Sequence, residues 1–250
     1  MQRMLMDMES YGVTDIGSRR QNNEDVWAEL PDCQFYILAD GLGGHQGGEV
    51  AAKEAVMGLC DAIDTLFLSD EKPTAAKASH AIESGVKHVN KAIRGLALQH
   101  QELAGMGTTM CCFLILENTL IYAHIGDSRV YRFRGKLERL TQDHSLRQKL
   151  LSSGDLDETS ASKFPYKNIV TRAIGTTPTV SAEIKTSPIH KGDIYFLCSD
   201  GLTDSLSDLQ IEEILKNSSS IKEASLDLVE AAKAAGSSDN ITIVMVKTSA

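Results

Sequence analysis

Carboxylates stand at the ends of several apolar runs in this 250-residue chain. The run Phe35-Tyr36-Ile37-Leu38 leads into Asp40, and three of the next four residues are glycine, followed by His45. "YFLCSDG" ends a second run in Asp200-Gly201, "YAHIGDS" ends a third near Asp127, and "SSDNITIVMV" opens the last run after Asp239. "RRQNNEDVW" sets Glu24 and Asp25 just before another strand-like segment, with Arg20 four residues ahead of Glu24. Any one of these acids is explained by a turn, since Asp and Gly favour turns. Their recurrence is the signal. If the runs 193–199 and 241–247 are antiparallel neighbours, Asp200 and Asp239 meet at one sheet edge. Several anionic groups gathered there repel unless cations neutralise them. Oxygen donors without a Cys or His pair favour Mg²⁺ or Mn²⁺ over Zn²⁺. Glycines after Asp40 then let the backbone approach, and the Gly41 carbonyl becomes a ligand in its own right; a tight turn before a helix near Gly48 is the plainer explanation, and the two are compatible.

Other phosphate chemistries fail on spacing. "GLGGHQ" has Gln46 where a dinucleotide loop needs its last glycine, and no G-K-[ST] follows. The residues six positions after the five cysteines are Ala39, Leu66, Glu117, Asn118 and Asp204, so no C-x₅-R nucleophile exists. The D-x-D of Asp155 and Asp157 lies in a polar segment, away from any strand end. A metal-bound water remains as the nucleophile.

The elements that must position these acids follow from periodicity. Residues 47–67 and 74–100 carry apolar residues at helical spacing, as does 221–235. Strand-like runs occupy 108–116, 119–125, 129–134, 180–187, 193–199 and 241–247. Short connections between successive strands predict antiparallel hairpins, and helices between groups of strands predict an α+β layered fold. Residues 142–168 are polar and form an exposed flap. The formal charge of −9 leaves no basic stripe for nucleic acid and disfavours anionic membranes. No apolar run reaches the roughly 20 residues of a membrane span, and the Met-rich start lacks a signal peptide's apolar stretch. Five cysteines in apolar surroundings read as reduced thiols, which predicts a cytoplasmic protein.

Taken in order, "GSRRQNNED", "ADGLGGHQGGEVAA", "GTTM", "AHIGDSRVYRFRGKLERLTQDHS", "NIVTRAIGT", "FLCSDGLTDSL" and "SSDNITIVMV" resemble the metal-dependent serine/threonine protein phosphatases of type 2C, in their compact bacterial form. The resemblance implies one catalytic domain over 1–250: a four-layer α/β/β/α sandwich of two antiparallel sheets flanked by helices, with the 142–168 flap beside the site. It implies that Asp40 bridges two Mn²⁺ or Mg²⁺ ions, with Glu24 and the Gly41 carbonyl on one and Asp200 and Asp239 on the other. Asp127, Asp200 and Asp204 resemble a weaker third-metal site, and Arg20 resembles the arginine that binds the substrate phosphate. Asn240 fits the family's D-N pair. Some members carry a histidine two residues after the bridging aspartate as a general acid; here that residue is Leu42, with His45 nearby, so a metal-bound water is expected to protonate the leaving group. The implied activity is hydrolysis of phosphoserine and phosphothreonine on proteins by a metal-bridged water, with no phosphoenzyme, by a monomer that reverses serine/threonine kinase signalling. Two rivals are a small-molecule phosphomonoesterase and a phosphatase-like binding module without turnover.

Overall fold

The computed structural model describes residues 8–43, 46–69, 72–161, 164–166 and 169–248. Two antiparallel sheets stack face to face. The first runs β1(Met8–Asp15), β11(Ile241–Thr248), β10(Ile194–Cys198), β7(Arg129–Phe133) and β8(Leu137–Arg139). The second runs β2(Asp25–Leu30), β3(Phe35–Leu42), β5(Met110–Leu116), β6(Thr119–Ile125) and β9(Glu183–Pro188), with the two-residue β4(Gly107–Thr108) added to the end of β3. Helices α1(Gln46–Leu68) and α2(Ala75–Gln99) cover the second sheet. Two short flap helices follow β8, α3(Leu146–Ser153) and α4(Glu158–Ala161). Helices α5(Asp200–Thr203), α6(Asp208–Asn217) and α7(Ile221–Ala234) cover the first sheet. This is the four-layer α/β/β/α sandwich expected from the sequence.

Strand alternation builds the layers. On β3, Phe35, Ile37 and Ala39 pack under α1 and α2, while Tyr36 and Leu38 point into the seam between the sheets. On β10 and β11, Phe196, Cys198, Ile243 and Met245 pack under α7, while Tyr195, Leu197 and Val244 fill the seam. Phe113 ties the sheets together there, its ring 5.1 Å from Tyr36 and 6.1 Å from Tyr195. Burying a side chain of this size contributes about 2–3 kcal/mol. The same parity carries Asp25, Asp40 and Thr242 toward the seam where its apolar filling ends. The site therefore lies at a sheet edge.

The helices form for local reasons. Thr74 caps α2 by accepting from the Lys77 N–H, and Ala78, Ile82, Val86, Val89 and Ile93 recur on its buried face. Gly85 lets α2 approach α1, since a Cβ there would lie 3.1 Å from Leu59. Among the described residues no helix is long and apolar enough to cross a membrane.

Two expectations needed correction. The strand expected over 108–116 is interrupted at Thr109. The polar start conceals β1, an edge strand with both faces partly exposed, which leaves no apolar alternation to read.

Candidate active site

A cavity of about 170 Å³ opens at the sheet edge, lined by Arg20, Glu24, Asp40, Gly41, Leu42, Asp127, Val170, Asp200, Asp239 and Asn240. Seven of the eight residues singled out in the sequence for metal or substrate roles thus share its wall, Gly41 among them. Each acid arrives by a different route. Asp40 lies near the C-terminal end of β3, and Glu24 precedes β2, its backbone oxygen accepting the Gly41 N–H at 3.1 Å. Asp200 starts α5 directly after β10, and Asp239 precedes β11; β10 and β11 are antiparallel neighbours, with Cys198 opposite Ile243. Two glycines are required by contact: a Cβ on Gly48 would fall 1.9 Å from Glu24 Oε2, and one on Gly201 would fall 2.0 Å from the Asn240 oxygen.

Asn240 holds the entrance loop. Its Oδ1 accepts the Glu24 N–H at 2.9 Å, and its Nδ2 donates to the oxygens of Ile16 and Asn22 at 2.9 and 3.0 Å. This fixes Glu24 relative to Asp239. Arg20, exposed at the rim, donates to Asp239 Oδ2 at 2.6 Å. Partial burial opposes its charge, but Asp239, Glu24 and Asp40 together hold its pKa above the ordinary value. Asp204 is half-buried and caps the C-terminus of α5; it lines an adjoining cavity of about 210 Å³ with Asp200 and Asp239.

The electrostatics of the acids are strained. Burial first, then repulsion from Asp25, Asp200, Asp127 and Asp239, lifts the Asp40 carboxyl well above the usual carboxylate range. Burial, then Asp127, Asp204, Asp239 and Asp25, does the same for Asp200. Asp127 is pushed up to about 7 by burial, Asp143 and Asp204. Among the described residues, Asp200 Oδ1 is shut off from solvent and has no hydrogen-bond partner. Such an atom carries a desolvation penalty that a cation would remove. The donor set, all oxygen, fits a hard divalent ion.

This strain sets the pH response of the metal-free protein. Carboxyls raised in the folded state stabilise it at low pH, and that contribution is lost as pH rises through about 6 for Asp25 and about 7 for Asp127. His124 and His144, held below the ordinary imidazole value mainly by burial, act in the opposite direction. Two imidazoles oppose four carboxyls, so the carboxyls win. The thermal midpoint in EDTA is expected to fall by at least about 5 °C between pH 5.5 and 7.5. A midpoint that rises over this interval would contradict the assignment.

The protein phosphatase 2C family model matches residues 16–235. The chain belongs to the protein phosphatase 2C family. Across 239 residues it is 36% identical to the serine/threonine phosphatase Stp of Listeria monocytogenes, covering 94% of this chain and 93% of that one. The fold is similar to that of Stp1 from Staphylococcus aureus, with a TM-score of 0.89, 30% identity and full coverage of both chains. It is also similar to the catalytic domain of the serine/threonine phosphatase PstP in complex with two manganese ions, with a TM-score of 0.84, 32% identity, and 97% and 99% coverage. This 2C-type chain is a protein serine/threonine phosphatase by class, and its substrates are phosphorylated proteins.

Some residues of this candidate site escaped the sequence reading. Asp25 is buried directly opposite Asp40 across β2 and β3, and accepts from Thr242 Oγ1 at 2.7 Å and Ser199 Oγ at 2.8 Å. Burial raises it to about 6, while those two hydroxyls favour its charged form. Its position beside Glu24 was visible; its orientation into the seam was not. Thr108 and Thr109 bind the Asp40 backbone through their hydroxyls. His45 and Gly44 lie outside the described residues.

The described part of the flap is anchored beside the cavity. Ser145 bridges Val170, the His144 oxygen accepts the Thr171 N–H at 2.7 Å, and Val170 reaches the cavity wall. At its base Arg129 holds Asp143 through two bonds of 2.9 and 2.7 Å. A second group of donors, His124, His144 and Glu183, lies on the far side of this base. The Gly126 N–H donates to His144 Nδ1 at 3.1 Å, Arg172 Nη1 lies 3.3 Å from His144 Nε2, and His124 Nε2 donates to the Gln142 oxygen at 2.7 Å. The Arg172 guanidinium places positive charge beside His144 and opposes a cation there. The two rings simply stack, with centroids 4.5 Å apart.

Proposed function

We propose that this phosphatase hydrolyses phosphoserine and phosphothreonine on proteins at a dinuclear Mn²⁺ or Mg²⁺ centre held by Glu24, Asp40, the Gly41 carbonyl, Asp200 and Asp239. The observation that carries this reading is five carboxylates around one small cavity, one of them with an oxygen deprived of both solvent and any partner among the described residues. When bound, two such ions supply a water of lowered pKa as nucleophile and offset the charge of the phosphate.

The protein's own groups do the rest. Asp40, just past the fully buried run Phe35–Ala39 of β3, is held rigidly enough to serve both ions. Arg20 sits at the rim, where its guanidinium can exchange Asp239 for two phosphate oxygens and oppose charge that grows in the transition state. Asp25, bound by two hydroxyls, keeps its charge beside Asp40 once cations are present. Asp127 and Asp204 flank Asp200 and offer a weaker third position. The residues 1–250 act as one catalytic domain, and the flap at 142–168 contacts the protein around the phosphorylated side chain. The chain works as a monomer against a serine/threonine kinase, and five cysteines, four buried and one half-buried, suit a cytoplasmic setting.

The test is release of inorganic phosphate from a phosphothreonine peptide, in EDTA and then with added Mn²⁺, beside sugar phosphates and nucleotides. Mn²⁺-dependent turnover that prefers the peptide is expected. Preference for the small molecules would favour a phosphomonoesterase. No turnover by folded protein that still binds Mn²⁺ would favour a binding module.

A further inference from the structure

We infer that Thr109 is a positioning residue that locks Asp40 in place and couples it to the Gly126–Ser128 turn carrying Asp127. The inference rests on the reading that Asp40 and Asp127 serve divalent cations. Opposite Asp40, the sheet departs from its regular ladder. The Thr109 N–H donates to the Asp40 oxygen at 2.9 Å, as a ladder requires. The reciprocal bond is replaced: the Asp40 N–H donates to Thr109 Oγ1 at 3.1 Å, and the Thr109 oxygen is taken by the Thr108 hydroxyl at 2.9 Å. That same Thr108 hydroxyl lies 2.8 Å from the Asp40 oxygen. A side-chain hydroxyl thus does the work of a backbone carbonyl at the residue that must bridge the ions.

The hydroxyl has a second partner. Thr109 Oγ1 lies 2.7 Å from Ser128 Oγ, and both side chains are buried. Because Oγ1 accepts from Asp40, its own proton is available to Ser128. The turn also packs directly on this residue, since a Cβ at Gly126 would lie 2.6 Å from Thr109 Cβ and Cγ2. Asp40 and Asp127 lie on different strand ends, and this one hydroxyl links their supports. Partners of this kind fix a ligand's direction, and their loss typically costs 10–100-fold in metal affinity.

Mn²⁺ titration calorimetry on wild type, Thr109→Val, Thr109→Ser and Ser128→Ala tests this, with thermal unfolding in EDTA alongside. Valine keeps the shape and removes the hydroxyl; serine keeps the hydroxyl. Thr109→Val is expected to bind Mn²⁺ at least about tenfold more weakly at the tight sites, and Thr109→Ser to recover most of that loss. Ser128→Ala, which leaves the bond to Asp40, is expected to weaken only the weaker binding step. Equal Mn²⁺ isotherms for wild type and Thr109→Val would overturn the inference, as would equal losses in the valine and serine variants. If Thr109→Val does not fold, Ser128→Ala decides: an isotherm unchanged at the weaker step refutes the coupling. Absence of Mn²⁺ binding by the wild type would instead overturn the dinuclear reading beneath it.

Discussion

Asp40→Asn is expected to lower turnover of a phosphothreonine peptide by about a thousandfold or more, while making the metal-free protein more stable. The amide keeps the shape of the carboxylate but supplies no negative charge to two cations. The several kcal/mol of charge stabilisation that metal ions provide in such reactions corresponds to three or more powers of ten in rate. Stability moves the other way because Asp40 is repelled by Asp25, Asp200, Asp127 and Asp239. Removing one of five mutually repelling groups raises the thermal midpoint in EDTA, and the midpoint gains less from added Mn²⁺ than in the wild type. Steady-state rates and melting curves on the same sample check both halves. Activity within tenfold of wild type, or a midpoint that falls together with activity, contradicts the role given to Asp40.

Arg20→Ala is expected to reduce kcat/KM for the phosphopeptide by about 10²–10³-fold, with folding little affected. Its ion pair with Asp239 is exposed at the rim, where such pairs contribute about 1 kcal/mol or less. Arg20→Lys is expected to restore only part of the rate, since an ammonium group cannot offer the paired, planar donors of a guanidinium. Steady-state kinetics at saturating Mn²⁺ separates this from a metal defect. A kcat/KM within threefold of wild type would return Arg20 to an ordinary surface arginine.

The sequence made the strand-end acids legible because each follows or precedes an apolar run, and the antiparallel pairing of β10 and β11 was enough to bring Asp200 beside Asp239. Alternation also made the sandwich legible, through runs such as 119–125 whose residues serve two different cores. Asp25 was harder. Adjacent residues on a strand point to opposite sides, and only the pairing of β2 with β3 shows that Asp25 turns into the seam opposite Asp40. Thr109 was hidden for a different reason. Its segment is apolar and β-prone, and nothing in its composition reveals that a hydroxyl replaces a carbonyl in the ladder. Asn240 was read as part of a motif, but its four bonds to the entrance loop and Asp239 emerge only when Ile16, Asn22 and Glu24 fold back over it. β1 went unread because edge strands avoid the apolar alternation that reveals interior ones.

The most direct measurement is an anomalous difference map from crystals soaked in Mn²⁺, recorded at the manganese edge. Two strong peaks about 3.5–4 Å apart are predicted, on either side of the Asp40 carboxylate, with Glu24 and Gly41 on one and Asp200 and Asp239 on the other. A single peak away from Asp40, or none in a cavity open to the soak, would contradict the dinuclear centre.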